Sequence, residues 1–474
     1  MMKFNEKHTK IVATIGPSSN NYQTMKELIL AGVNTIRVNF SHGDEEIHTT
    51  NFNLARQISK ELDIPISLLL DTKGPEIRIG KMKDDQQMLY KGSLVTINTD
   101  EESYKNLLGD SKTISVSYRM DKDLKTGNQV LLDDGKLTTI VKEVKPMRII
   151  VEVQNDHLLK TNKRVNIPGV DFSMPFMSQK DRDDIIWGAK FKVDYIAASF
   201  VNSAKNVNEI RDLLKEHGGE KIQICSKIES MTAIKNIDEI IEASDSIMIA
   251  RGDLGLEIPY YEVPYWEKQI IRKCRNVGKE VIVATQMLDS MEKTPMPTRA
   301  EVTDVYYAVE LGADATMLSG ETASGQYPVE AVKTMATIVK YAEKEYYNEV
   351  YYATQIEKVA KDENSRMLIA YEVAKKLQSG EYKYAVVCSH SGQLLKEIAK
   401  YRPNAYIVGL VSNDELVWRF GITAGVYCEK HSQAVMKVVK DNHNNARKAL
   451  EHFNVKKGDK FLVVDKMNFT EHEY

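Results

Sequence analysis

One repeated unit constrains the fold of this chain more than any other feature. Short runs of β-branched and apolar residues recur, each ending in a small or polar residue, and most are followed by a segment with helical period. Glycine stops most of these helical segments. The runs cover residues 10–16, 35–41, 66–72, 195–200, 222–229, 246–253, 281–286 and 315–321. We therefore predict eight strands, with a helix after each except the third.

Eight parallel β/α units of this kind close into a TIM-type (β/α)8 barrel, whose chemistry lies at the carboxyl ends of the strands. An open, doubly wound sheet is the alternative, but it uses only the few strands near its switch point. Here polar residues end six of the eight runs, which favours the closed barrel. These residues are Arg37, Asn39, Ser41, Asp71, Thr72, Lys227, Glu229, Asp253, Thr285, Ser319 and Glu321.

Two further segments differ from the repeat. Residues 73–169 contain alternating or β-branched stretches with turns at DDG and KTG, which predicts an all-β domain inserted into a βα loop. Its place above the strand ends makes it a candidate lid, although a fixed domain without movement is the alternative. Residues 347–474 read as a C-terminal α/β domain whose last strand is KFLVVDK. The barrel then comprises residues 1–72 and 170–346.

Composition excludes several classes of protein. The net charge of −3 supplies no surplus of basic residues for binding a nucleic acid. The four cysteines are far apart and form no C-x-x-C pair, so neither a zinc site nor a disulfide framework is indicated, and reduced thiols fit a cytoplasmic protein. We find neither a signal peptide nor a run of about 18 apolar residues that would cross a membrane.

The stretch IMIARGDLGLEIP, residues 247–259, delivers charged residues at the end of a buried strand. Its RGD tripeptide would suit cell adhesion only on an exposed loop, and a simple ion pair is a second alternative. Glu229 and Asp253 end neighbouring strands, and two close carboxylates suit a hard divalent cation such as Mg²⁺. Lys227 lies on the same strand face as Glu229. A lysine beside Mg²⁺ suits phosphoryl transfer, with Arg37 and Arg78 as further phosphate contacts, although a plain ion-pair network remains possible.

Two weaker patterns remain open at this level. Asn39, Ser41, Asp71 and Thr72 offer neutral oxygens and one carboxylate, which suits a monovalent cation, but hydrogen bonding at the barrel mouth explains them equally well. The hydroxyl-rich loop Ser389, His390, Ser391 and Gly392 lies between a strand and a helix. It is a candidate phosphate site for an effector, and an ordinary helix cap is the alternative.

Long motifs in one order carry a resemblance to a known family. They are TKIVATIGPSS, IRVNFSHG, LLDTKGPEIRIG, SKIES, IMIARGDLGLEIP, ATQMLDSM, PTRAEVTDV and MLSGETASGQYP, and together they resemble pyruvate kinases over nearly the whole chain. The resemblance implies transfer of the phosphoryl group of phosphoenolpyruvate to ADP, giving pyruvate and ATP in glycolysis. It also implies dependence on Mg²⁺ (or Mn²⁺) and K⁺, and assembly as a homotetramer.

The resemblance also implies roles for individual residues. Glu229 and Asp253 would bind Mg²⁺, and Lys227 would steady the phosphoryl group. The amides of Gly252 and Asp253, with Thr285, would hold the substrate carboxylate. Thr285, Ser319 and Glu321 would organise the proton donor to the enolate. The K⁺ ligands would be Asn39, Ser41, Asp71 and Thr72, with Glu76 marking K⁺ dependence. Arg37 and Arg78 would contact phosphate and nucleotide, and the stretch Asn39, Phe40, Ser41 and His42 would border the nucleotide.

Two departures from the family pattern qualify these expectations. Asn202 and Ser203 replace an Arg-Lys pair after the fourth strand, so one nucleotide contact is in doubt unless Lys205 supplies it. Gln393 replaces an arginine after the phosphate loop, so we expect sugar-bisphosphate activation to be impaired or absent, leaving no regulation or a smaller phosphorylated effector. The rival functions are a metal-dependent pyruvate-enolate lyase or aldolase, and a catalytically silent protein that binds phosphorylated metabolites.

Overall fold

Eight parallel strands form a closed barrel in the computed structural model, which describes residues 5–170, 172–348, 365–430, 443–465 and 468–474. Each strand pairs with its neighbours in chain order, and the eighth pairs with the first. The strands are Lys10–Thr14, Thr35–Asn39, Ser67–Asp71, Tyr195–Ala198, Gln223–Ile228, Ser246–Ala250, Glu280–Ala284 and Ala315–Leu318. The predicted TIM-type barrel is therefore confirmed, and each strand is shorter than its predicted run.

Helices cover the outside of the barrel and follow every strand, directly or after the insert. The main ones are Tyr22–Ala31, Glu45–Leu62, Gln179–Phe191, Ala204–Glu216, Ile237–Ala243, Val263–Val277, Arg299–Leu311 and Pro328–Asn348. Short helices Met231–Lys235, Arg251–Glu257 and Gly320–Ala323 lie at the mouth. Among the described residues, none of the helices combines the length and apolar character that a membrane crossing requires.

The prediction that the third strand lacks a helix was wrong. Helix Gln179–Phe191 follows that strand once the inserted domain has returned to the barrel. Its first two turns carry mostly polar and charged side chains, which hid the helical period in the sequence. A capping box at Ser178 and Asp181 fixes its start, because each side chain accepts a hydrogen bond from the other residue's backbone amide.

The core has an outer and an inner layer, as expected for a barrel. Outward-facing strand residues pack against the helices in one large apolar cluster. A smaller cluster fills the barrel itself. One member of the inner cluster, Ile422, comes from the C-terminal domain and is fully buried. The C-terminal domain therefore supplies a side chain to the interior of the barrel.

The insert is built mainly from strands, as predicted. Its seven-stranded sheet runs in the order Ile77–Arg78, Arg164–Asn166, Gln129–Leu132, Leu137–Lys145, Arg148–Val153, Leu94–Asn98 and Thr113–Ser115. A second sheet pairs Gln86–Leu89 with His157–Lys160. One short helix, Glu101–Asn106, was not predicted, and Asp100 caps it by accepting from the Ser103 amide. The domain limits drawn from the sequence stay predictions.

The C-terminal part forms a five-stranded sheet with helices around it. Its strands, in sheet order, are Val426–Lys430, Tyr406–Val411, Tyr382–Cys388, Lys460–Val464 and Phe469–Glu473. The described helices are Ser365–Leu377, Gln393–Ala399, Asp414–Trp418 and His443–Ala449. The expectation that KFLVVDK is the last strand was wrong, because Phe469–Glu473 adds an antiparallel edge. That edge strand is mostly polar, so its sequence lacks the apolar pattern of a buried strand.

Candidate active site

A buried lysine lies at the centre of the barrel mouth. The Lys227 ammonium is 3.1 Å from Asp71 Oδ1 and 3.0 Å from Glu229 Oε1. It also donates to Ser199 Oγ at 2.7 Å. Burial alone would lower the pKa of Lys227, but the carboxylates of Asp71 and Glu229 outweigh burial and hold this pKa above its usual value. The lysine is therefore charged and fixed at the predicted position.

Arg37 completes the charge balance on the other side of Asp71. Its Nε is 2.7 Å from Asp71 Oδ2, and a terminal nitrogen donates to Thr14 Oγ1 at 2.7 Å. Burial acts to raise the pKa of Asp71, but Arg37 and Lys227 together bring it below its ordinary value. Thr14 and Ser199 were missed by the sequence analysis. Thr14 ends the first barrel strand, and Ser199 directly follows the fourth. Polar residues at the carboxyl ends of barrel strands are candidates for the site, so their positions could have indicated both.

Glu229 and Asp253 follow two adjacent strands, which pair in register at Ile228 and Ile249. Glu229 is 1% exposed, and one of its oxygens accepts from the Phe200 amide at 2.6 Å. Burial raises the pKa of Glu229, and the negative charge of Asp253 raises it further. Asp253 lies in the first turn of helix Arg251–Glu257. Two negatively charged carboxylates that lie close together repel each other, so this pair suits the binding of a cation.

The two charged residues of the RGD tripeptide have different partners. Arg251 is buried and pairs with Asp304 at 2.6 Å and Glu267 at 3.3 Å. Asp253 instead pairs with Arg164, a residue of the inserted domain, at 2.6 Å. The alternative in which Arg251 and Asp253 simply pair with each other is therefore wrong. Arg164 was not predicted, because no rule links an arginine in an inserted domain to a barrel strand.

The donor set fits a magnesium ion that also binds substrate. Among the described residues, no group of three or more His, Cys, Asp or Glu side chains forms a ready metal cage. Mg²⁺ in phosphoryl-transfer sites takes one or two carboxylates and fills its other positions with water and substrate oxygens. Glu229 and Asp253 match that pattern. They are the residues that would hold the ion.

Thr285 lies where the backbone is strained. Its φ is +68°, and the next residue, Gln286, has a φ of +55°. Non-glycine residues in this region are uncommon and concentrate at functional sites. Thr285 Oγ1 accepts from the Gly252 amide at 2.7 Å and donates to the Ala284 carbonyl at 2.6 Å. The predicted carboxylate-binding residues Gly252 and Thr285 are thus in direct contact.

Ser319 and Glu321 also lie together, at the end of the eighth strand. Glu321 accepts from the Ser319 amide at 2.7 Å and from the Leu288 amide at 3.0 Å. Burial raises the pKa of Glu321. The Ser319 hydroxyl is buried and has no hydrogen-bond partner within the described part of the chain. A buried hydroxyl of this kind suits a role that needs a bound substrate or water.

The predicted K⁺ ligands surround the ends of the second and third strands. Asn39 and Asp71 are register partners, and Asn39 Oδ1 accepts from the Ser41 amide at 3.0 Å. Thr72 Oγ1 accepts from the Ser199 amide at 3.1 Å. Glu76 pairs with Arg78 at 2.7 Å and with Arg164 at 3.3 Å. Amide, hydroxyl and carboxylate oxygens are thus available near one another.

The residues predicted to border the nucleotide differ in exposure. His42 is exposed, whereas the Phe40 side chain is buried and stacks on His48 with 3.8 Å between the ring centroids. Phe40 therefore offers only its backbone to a ligand. The side chain of Asn202, which replaces the family's arginine, accepts from the Ser230 hydroxyl, and the Asn202 backbone carbonyl accepts from the Asn236 side chain. Lys205 is exposed, and Ser203 precedes helix Ala204–Glu216 without capping it.

The candidate effector loop lies in the C-terminal domain. Ser389 Oγ accepts from the Gly392 amide at 3.1 Å, and Ser391 Oγ accepts from the Gln393 amide at 3.4 Å. Gly392 has a φ of +78°, which favours glycine. These bonds stabilise the loop itself. His390 and Ser391 also line a cavity of about 560 Å³ shared with barrel residues.

Comparison with known proteins identifies the family. Residues 6–332 match the model of the pyruvate kinase barrel domain, and residues 367–473 match that of the pyruvate kinase alpha/beta domain. The chain belongs to the pyruvate kinase family. It is therefore an enzyme, a phosphotransferase of the pyruvate kinase type that acts in glycolysis.

Individual relatives cover most of the chain. A pyruvate kinase of Mycoplasma pneumoniae is 42% identical, with 89% of each chain covered. A pyruvate kinase of Clostridium acetobutylicum is 39% identical, covering 96% of this chain and 95% of its own. The crystal structure of a pyruvate kinase from Cryptosporidium parvum superposes with a TM-score of 0.90 at 35% identity, covering 98% of this chain and 96% of that one. Full-length similarity of this kind extends to all three parts of the fold.

Proposed function

We propose that this enzyme transfers the phosphoryl group of phosphoenolpyruvate to ADP, giving pyruvate and ATP, with Mg²⁺ (or Mn²⁺) and K⁺. The observation that carries the proposal is the charged Lys227, fixed between Asp71 and Glu229 at the barrel mouth. A phosphoryl group in transfer spreads negative charge over its oxygens, and a preorganised ammonium stabilises that charge. Family membership supports the same substrates.

Glu229 and Asp253 would hold the divalent cation beside Lys227. The bound ion supplies positive charge to the phosphoryl oxygens and orients the substrate. Lys227 stays charged because Asp71 and Glu229 raise its pKa. Arg37 keeps Asp71 ionised and is a second candidate for a phosphate oxygen.

The substrate carboxylate would bind at the start of helix Arg251–Glu257. The Gly252 amide now donates to Thr285 Oγ1, and the amide of Asp253 follows in the same turn. A carboxylate at this helix start would accept from these amides and from the Thr285 hydroxyl. Ser319, Glu321 and Thr285 would position the donor that protonates the enolate carbon, because Glu321 orders the Ser319 backbone and the Ser319 hydroxyl is free among the described residues.

K⁺ would bind among Asn39, Ser41, Asp71 and Thr72. The carboxylate of Glu76 would keep the surroundings of this K⁺ site negatively charged. Asn39, Phe40, Ser41 and His42 would border the nucleotide, and Arg78 would contact its phosphates. His42 is exposed, which supports a contact between its side chain and the nucleotide. The Phe40 ring is buried, which supports contact through the Phe40 backbone only. Family membership also supports a homotetramer in the cytoplasm, and light scattering on the purified protein measures the subunit number.

The decisive test is pyruvate formation from phosphoenolpyruvate with ADP, with and without Mg²⁺ and with K⁺ exchanged for a bulky monovalent cation. We expect no turnover without the divalent cation and a large loss without K⁺. Activity indifferent to K⁺ would contradict the role of Glu76. A lyase or aldolase would turn over without ADP, and a silent binding protein would show no turnover at all.

A further inference from the structure

Arg251 is the charged residue of the RGD tripeptide to which the proposed reaction gives no role. It directly follows the sixth barrel strand, Ser246–Ala250, and it is only 8% exposed. Thr285 directly follows the seventh strand, and the two strands pair in register at Ala250 and Ala284. Arg251 and Thr285 therefore stand side by side at the mouth, one residue beyond the last pair of the two strands.

The Arg251 guanidinium is shared between carboxylates and a backbone carbonyl. Its two terminal nitrogens bind the Asp304 carboxylate at 2.6 and 2.7 Å, and one of them is 3.3 Å from Glu267 Oε2. The other, Nη2, also donates to the Thr285 carbonyl at 2.8 Å and to Met287 Sδ at 2.9 Å. A planar guanidinium can make these bonds together, because its N–H groups point in fixed directions. Arg251 thus joins Thr285 to the acids behind it.

Two consecutive residues hold Thr285 at two of its groups. The Thr285 carbonyl accepts from Arg251, and the Thr285 hydroxyl accepts from the Gly252 amide at 2.7 Å. The backbone between these bonds is strained, with a φ of +68° at Thr285 and +55° at Gln286. Non-glycine residues keep such angles only where their surroundings hold them there. The Arg251 side chain supplies one of the bonds that does so.

We propose that Arg251 is a positioning residue for the reaction, because its bond to the Thr285 carbonyl keeps the Thr285 hydroxyl in place. The inference rests on the proposed function, which uses that hydroxyl to bind the substrate carboxylate and to organise protonation of the enolate. A displacement of about 1 Å in such a group can lower the rate by about 10². An arginine that only stabilised the fold would not affect the rate of a variant that stays folded.

The first variant is Arg251→Lys in the full-length enzyme. Lysine keeps a positive charge near Asp304 and Glu267, but it has no planar fork with which to reach the Thr285 carbonyl as well. We expect kcat for pyruvate formation, at saturating phosphoenolpyruvate, ADP, Mg²⁺ and K⁺, to fall by about 10–100-fold. Arg275→Lys is the matched control, because Arg275 is also 8% exposed but lies near the other end of the barrel. It should keep the full kcat.

A second variant removes the guanidinium without leaving its most buried acid unpaired. Glu267 is 2% exposed, so Arg251→Met is combined with Glu267→Gln, which leaves no buried charge at that position. This double variant should show a loss of kcat like that of Arg251→Lys. Urea unfolding of each variant shows that the measured protein is folded.

Gln286→Gly supplies a readout that a purely structural role would not change. Gln286 is exposed, and glycine adopts a positive φ without steric cost, so the strained backbone needs less support. Added to Arg251→Lys, it should raise kcat roughly threefold, whereas in the unsubstituted enzyme it should leave kcat nearly unchanged.

Two results would overturn the positioning role while the unsubstituted enzyme still forms pyruvate. One is equal kcat in the folded Arg251 variants and in Arg275→Lys. The other is a loss in Arg251→Lys that Gln286→Gly does not relieve. If the unsubstituted enzyme forms no pyruvate from phosphoenolpyruvate and ADP, the proposed function itself is overturned, and this inference with it.

Discussion

At the scale of single residues, the active site depends on how charges are paired. Lys227 is 9% exposed and contacts two carboxylates and one hydroxyl. Asp71 is shared between Lys227 and Arg37, so its carboxylate has a positively charged partner on each side. Pairing of this kind keeps buried ions charged, whereas burial favours the neutral form of a lysine that has no charged partner. The proposed chemistry therefore requires the neighbours of Lys227 as much as Lys227 itself.

Replacing Lys227 by methionine should abolish most of the phosphoryl transfer. We expect kcat to fall by a factor of about 10²–10³ or more, the usual cost of losing one preorganised group that stabilises transition-state charge. A coupled assay for pyruvate measures it, and circular dichroism checks the fold. Lys105→Met, at an exposed lysine that pairs with Glu101, is the control and should keep full activity. Activity retained in Lys227→Met would remove the centre of the proposed mechanism.

His48 should make the folded state sensitive to acid. Burial lowers the pKa of His48 to about 4 from 6.5, and both ring nitrogens lack partners among the described residues. The folded protein thus prefers neutral histidine, so its stability is complete above about pH 6.5 and is lost as pH falls towards 4. From pH 7 to 5 we expect a loss of roughly 1–2 kcal/mol that His48→Gln lacks, measured by urea unfolding. Equal pH dependence in both proteins would contradict this assignment.

At the scale of secondary-structure elements, the ends of the insert are tied to one helix. Asp181 accepts from the Ser178 amide and hydroxyl through one oxygen, at 3.0 and 2.6 Å. Its other oxygen accepts from the Gly74 amide at 2.9 Å. Gly74 comes before the first strand of the insert, Ile77–Arg78, and Ser178 comes after its last strand, Arg164–Asn166. One carboxylate therefore fixes both connections between the insert and the barrel.

Asp181→Ala should loosen these connections. The loss of the capping box should lower the free energy of unfolding by about 1–2 kcal/mol. Hydrogen exchange at Gly74 and at the start of helix Gln179–Phe191 should speed up. Asp183→Ala is the control on the same helix, because Asp183 is exposed and accepts only from Gln179 among the described residues. If both variants exchange alike, Asp181 does not hold the connections.

At the scale of the whole molecule, the C-terminal domain closes the end of the barrel opposite the mouth. We call this contact, made by residues 419–422, the floor of the barrel. Ile422 joins the apolar cluster inside the barrel. Tyr195 and Gln223 donate to the Arg419 carbonyl at 2.5 and 2.9 Å. Gly421 lies so close to the barrel that a Cβ there would be 2.0 Å from Ser67 Oγ. The barrel strands carry the candidate active site at one end, and the C-terminal domain covers their other end.

Ile422→Ala should therefore destabilise the barrel and not only its own domain. Removing a fully buried isoleucine costs about 2–5 kcal/mol, and here the cavity would open among barrel strands. Hydrogen exchange in urea on strand Ser246–Ala250 should show the loss. Ile407→Ala, equally deep in the C-terminal core, is the control and should leave that strand protected. Barrel protection that stays unchanged in Ile422→Ala would contradict the role of the floor.

Regulation by a phosphorylated effector is also a property of the whole molecule. The hydroxyls of Ser389 and Ser391 accept from amides of their own loop, and Gln393 brings no positive charge. We therefore expect fructose 1,6-bisphosphate to leave the dependence of rate on phosphoenolpyruvate nearly unchanged. Initial rates over a range of both compounds measure this. A strong shift of the curve to lower phosphoenolpyruvate would refute the expectation.

The sequence by itself determined the barrel and the inserted strands, and it indicated most of the polar residues that the structure brings together at the barrel mouth. Hydrophobic periodicity, glycines that end helices and polar residues at strand ends are local features of the sequence. They can therefore be recognised without knowledge of the tertiary structure. Helix Gln179–Phe191 and strand Phe469–Glu473 were missed because charged or polar side chains concealed their pattern. Thr14 and Ser199 also stand at the ends of barrel strands, so strand-end polarity predicts them as well.

Only the tertiary structure decided which charges meet. Arg164 reaches Asp253 from a domain 89 residues away along the chain, and Ile422 enters the barrel from the C-terminal domain. No local period encodes such contacts, because they depend on how separate domains are placed against each other. The sequence thus specified which groups stand at the strand ends. The packing of the domains determined what neutralises, covers and supports them.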